Sequence, residues 1–63
     1  MKEKIRHLIA EKLIQKGEAK MSLHRLIRID GATDERVNRI LDHIRSLEED
    51  IEMLERILKQ LKQ

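Results

Sequence analysis

Three histidines and twelve carboxylates make acid–base and metal chemistry the first question this 63-residue chain raises. His7 and Glu11 stand one helical turn apart, and Asp42 directly precedes His43. Zinc needs three or four ligands converging on one point, and nucleophilic catalysis needs a nucleophile beside an oriented base. Neither pair has a third residue at ligand spacing. With no cysteine there is no thiolate nucleophile, cysteine-rich zinc site or disulfide. The chain therefore reads as a non-enzyme with no metal, no cofactor and no small-molecule substrate. The remaining chemistry is cationic: Arg25, Arg28 and Arg39 gather around Gly31. Each alone is ordinary helix surface, but clustered around one turn they form a patch suited to phosphate.

Net charge is only +2, yet it is unevenly placed. Residues 1–30 carry eight Lys/Arg and four Asp/Glu, residues 31–63 six and eight, and "LEEDIEMLE" (47–55) holds five acids and no base. Contact with phosphate must therefore come from the front two-thirds of the chain. The chain contains no Phe, Tyr or Trp, so it lacks the stacking platforms that hold single-stranded nucleic acid. The charged N-terminal stretch "MKEKIRHLIAEKLIQKG" fits neither a signal peptide nor a membrane span, so a soluble, intracellular chain is expected. A composition rich in Lys, Glu and Leu, with clear caps, suits either a thermophilic or a computationally designed sequence.

The elements that must position these residues are all helical. Ile5, Leu8, Ile9 and Leu13 make an amphipathic first helix over residues 1–16, with Gly17 at its C-terminus and "GEAKM" as a connection. The alternative is a helix running through Gly17 to Arg28. Ser22 is the expected cap of a short second helix that buries Leu23, Leu26 and Ile27 and carries His24, Arg25 and Arg28 outward. Asp30-Gly31 stops it, Gly31 supplying the positive φ of a tight turn. Thr33 caps the next helix, with Asp34 and Glu35 favoured in its first turn by the helix dipole. No glycine or proline follows, so this helix is expected to run unbroken to the C-terminus. The alternative is a break at Ser46, which has capping-box spacing to Glu49. Val37, Ile44, Ile51 and Leu58 fall at heptad a, and Ile40, Leu47, Leu54 and Leu61 at d, a pattern that favours a two-stranded coiled coil. Asp50 facing Glu55 of a parallel partner, and the widening of the stripe by Met53 and Ile57, point instead to packing against several helices. A core this small rarely supplies more than about 3–5 kcal/mol, so oligomerisation is expected.

The segment "LIRIDGATDERVNRIL" resembles helix-turn-helix DNA-binding domains. It has a short helix with paired apolar residues, Gly31 in the turn, Ala32 next, Thr33 opening the second helix, and Val37 and Ile40 facing inward. It departs from the pattern at Asp30, where an apolar residue is usual. The resemblance covers about twenty residues and implies that Thr33, Glu35, Asn38 and Arg39 meet base edges in the major groove. It also implies that Lys20, Ser22, His24, Arg25, Arg28 and Arg36 contact phosphates.

The sequence thus predicts one all-α domain over residues 1–63: a three- to four-helix helix-turn-helix domain with a long C-terminal helix. Residues 1–16 form the first helix, 22–45 the helix-turn-helix, and 46–63 a packing or dimerisation helix using Leu47, Ile51, Leu54, Leu58 and Leu61. The expected partners are double-stranded DNA and a second copy of the chain, with no membrane. If genomic, the protein would be a small cytoplasmic, nucleoid-associated transcriptional regulator. The competing reading is a self-associating helical hairpin with a structural or interaction role. In it residues 1–29 form one helix, "DGAT" is the loop, and two copies build a four-helix bundle.

Overall fold

In the computed structural model, which describes residues 1–29 and 33–61, the chain is all-helical. Two helices of equal length, α1 (Lys2–Arg28) and α2 (Asp34–Gln60), lie antiparallel as a hairpin. Each has 27 residues, about 40 Å at 1.5 Å per residue. The Cα trace accordingly spans 51 × 15 × 10 Å.

Among the described residues the helix count is two, not three to four. The expected stop at Gly17 and the cap at Ser22 are both absent, and "GEAKM" is helix interior. A glycine inside a helix costs about 1 kcal/mol relative to alanine. Here good helix formers flank it, and Lys12, Lys16 and Ala19 tie both flanks to α2, which more than offsets so local a cost. The continuous C-terminal helix does form. Ser46 lies within α2 and opens no fourth helix.

The start of α2 follows the sequence reading. Thr33 takes an extended conformation and its Oγ1 accepts a hydrogen bond from the Arg36 N–H at 3.2 Å, with Asp34 and Glu35 in the first turn. α1 ends with the Ile29 N–H donating to the Arg25 carbonyl at 3.1 Å. The turn expected at Asp30, Gly31 and Ala32 lies outside the described residues.

The core is a thin seam between the helices. Ile44, Leu47 and Ile51 of α2 and Ile5 and Ala19 of α1 are buried in it, Leu47 to 3% exposure. The α2 stripe read as a packing or dimerisation face thus packs on α1 of its own chain, with Val37, Ile40, Leu54, Leu58 and Leu61 half-buried. At the centre of the hairpin, α1 presents cations to α2. Lys12 Nζ donates to Asp50 Oδ2 at 3.3 Å, and Lys16 Nζ sits 3.1 Å from Glu48 Oε2. Both lysines keep their aliphatic stems against the seam while their heads reach the acids at its edges. Two acids of the run 47–55, Glu48 and Asp50, thus pair with α1 within the hairpin and agree with its antiparallel register.

The two helices distribute their apolar residues differently. On α2 most keep to one broad stripe, with Leu41, Met53 and Ile57 exposed at or beyond its edges. On α1 they spread further round the helix: Ile5 and Ala19 are buried, Leu8 and Leu13 stay partly exposed in grooves shared with α2, and Ile14, Met21 and Ile27 are more exposed still.

Candidate functional site

The residues with the most concentrated chemistry lie at the turn end of the hairpin. The last two turns of α1 and the first two of α2 bound a cleft of about 370 Å3. Its apolar floor is Leu26, Ile29 and Ile40, and its polar rim is Ser22, Arg25, Arg36 and Arg39. The helical period brings them together. Ser22, Leu26 and Ile29 share one flank of α1, and Arg36, Arg39 and Ile40 share the facing flank of α2. The cleft continues along the same side of the hairpin into a second hollow of about 400 Å3, lined by Gln15, Glu18, Ala19, Ser22, Arg39, Ile40 and His43.

Among the described residues, Arg25, Arg36 and Arg39 make no ion pair. Three guanidiniums without acids therefore rim a partly apolar hollow, which suits anionic oxygens held by fork-like donors. Buried unpaired cations would be costly, but these are exposed and keep their hydration.

The residues named from the helix-turn-helix resemblance divide between this cleft and other faces. Ser22, Arg25, Arg36 and Arg39 meet at the cleft. Asn38 is exposed and falls about 100° round α2 from Arg39. Glu35 lies exposed in the first turn, and the Thr33 hydroxyl already serves as the cap. Lys20, His24 and Arg28 are exposed on α1 away from the cleft rim. The sequence reading missed Leu26, Ile29 and Ile40 as the cleft floor. Leu26 and Ile40 were assigned inward on their apolar spacing, a role they only half fill.

The carboxylate–histidine pairs are surface features. His7 Nε2 and Glu11 Oε2 are 3.3 Å apart on one face of α1, both largely exposed. Asp42 Oδ1 lies 3.8 Å from Arg45 Nη1, an i,i+3 contact in water. Among the described residues no three ligand-type side chains gather at one point, and no helix is long and apolar enough to cross a membrane.

No protein-family model, curated protein or solved structure matches this chain.

Proposed function

We propose that the chain is a self-associating helical hairpin, a structural or interaction module whose working form contains two copies. The observation that supports this reading is the apolar surface of α1. α1 carries exposed apolar residues on the side facing away from α2 as well as along the grooves beside it, and one neighbouring helix leaves them in water. Among the described residues five are buried, all apolar, while Leu8, Leu13, Ile14, Met21 and Ile27 of α1 stay exposed. Exposed apolar surface at that density marks an interaction site, and a bundle built from two hairpins is the simplest structure that encloses it. Sedimentation equilibrium between about 1 and 100 μM tests the proposal. The expected result is a mass of twice 7.5 kDa at the upper concentrations. A single species of 7.5 kDa over the whole range would overturn it.

The Arg25–Arg36–Arg39 rim favours a second reading, binding of double-stranded DNA by the turn end of the hairpin, as a small regulator or a sequence-specific binder. In this reading Arg25, Arg36 and Ser22 hold phosphates while Arg39 approaches the groove. Selection from a randomised duplex library at two salt concentrations separates the outcomes. An enriched motif supports the reading. Weak binding without a motif, lost by ~200 mM salt, would leave only the electrostatics of a basic surface.

A further inference from the structure

We infer that two copies pair antiparallel through the face of α1 that points away from α2, with the midpoint between Gln15 and Lys16 on the twofold axis. This inference rests on the self-association reading and names the surface that carries it.

On that face Ala10, Ile14, Gly17 and Met21 follow one another at alternating spacings of four and three, with His7 and His24 continuing the series at either end. This is heptad spacing, a continuous seam along one side of a helix. All six residues are exposed. Ile14 and Met21, each at 63%, are more exposed than every other large apolar residue among those described except Met1 and lie far from the grooves between the helices. Packing a second hairpin into either groove would leave both in water.

The seam is complementary to itself when reversed. Each residue then faces the one equally far beyond the midpoint, so Ala10 meets Met21 of the second copy and Ile14 meets its Gly17. Every apolar layer sets a small residue against a large one, and the axis supplies each layer twice. Beyond the histidines, Glu3 and Arg28 continue the same spacing and form an oppositely charged layer at each end. A parallel pair would instead stack Gly17 on Gly17, Glu3 on Glu3 and Arg28 on Arg28, leaving a gap and two repulsive layers. At the exposed rim Glu11 faces Glu18 of the second copy, a repulsion that water and salt largely screen.

Gly17 gives the inference independent support. It sits in mid-helix, where glycine weakens the structure, and a Cβ added there meets nothing within 4 Å. Nothing inside the hairpin requires the missing side chain. Close approach of a second helix does.

The chain lacks cysteine, so single-cysteine variants report the register directly. Ala10→Cys and Met21→Cys are made in the full chain, checked for helicity by circular dichroism, and oxidised mildly. An equimolar mixture is expected to yield disulfide-linked dimer at least tenfold above either variant alone. Gly17→Leu, which the open surface of the single hairpin accommodates, is expected to weaken self-association at least tenfold with helicity retained. Efficient cross-linking of Ala10→Cys with itself would establish a parallel pair and overturn the inference. So would a wild-type dimer that forms no cross-link in the mixture and is unchanged by Gly17→Leu, an outcome that leaves self-association standing through another face. A wild-type chain monomeric in sedimentation would remove both the inference and the reading beneath it.

Discussion

Single side chains act here where water is excluded or where a backbone group would otherwise lack a partner. Leu47 is the clearest case of the first kind, at 3% exposure in the middle of the seam. Truncating it to alanine removes apolar contact and leaves a cavity, a change that costs about 2–5 kcal/mol in typical cores. A hairpin this small holds little more than that, so Leu47→Ala is expected to lose most of its far-UV helical signal at 25 °C. Thr33 is a case of the second kind. Losing the bond from its Oγ1 to the Arg36 N–H should cost about 1 kcal/mol in Thr33→Ala, read from a lower urea midpoint with an unchanged slope. Lys12 combines both roles in one side chain. If its stem matters more than its pairing with Asp50, Lys12→Met should keep most of the stability that Lys12→Ala loses, because exposed ion pairs are worth at most about 1 kcal/mol. The rim arginines allow a test of the second functional reading. Arg36→Ala and Arg25→Ala should each lower duplex affinity and flatten its salt dependence by roughly one unit of slope per lost phosphate contact, and an unchanged slope in both would argue against that reading.

At the scale of elements, α2 was largely legible in the sequence and α1 was not. Thr33 with two acids behind it marks a helix start by local chemistry alone. The absence of glycine and proline after Gly31, and the unbroken apolar spacing from Val37 to Leu61, imply a long helix for equally local reasons. For α1 the local signs misled. Gly17 after Lys16 looks like a helix end, and Ser22 before Leu23 looks like a cap. Each of those preferences is worth about 1 kcal/mol, and contacts that depend on Asp50, Glu48 and Ile44, far along the chain, outweigh them. The candidate site divided along the same line. Ser22, Arg25, Arg36 and Arg39 meet because they lie near one turn. The floor of the cleft depends on how α2 is rolled against α1, which no short stretch encodes. Proline substitution tests the continuity of both helices. Ser22→Pro and Ser46→Pro each place proline inside a helix, where it removes a hydrogen bond and clashes with the preceding turn at a cost of about 3 kcal/mol or more. Both are expected to abolish the cooperative melt. Full helicity in either variant would show that a helix starts at that serine.

In the proposed assembly the whole molecule is half of a structure. One hairpin joins two helices of 27 residues around a thin seam, links them through Lys12–Asp50 and Lys16–Glu48, and leaves the far side of α1 uncovered. A partner that binds only the folded state stabilises it by mass action, so a self-associating hairpin must melt at a temperature that depends on its own concentration. Thermal unfolding followed by circular dichroism at 2 and 200 μM is therefore the most direct test of the central claim. The account predicts a midpoint several degrees higher at the upper concentration, with helical content at low temperature changing little. A single midpoint at both concentrations, from one cooperative transition, would contradict it and leave the hairpin complete as a monomer.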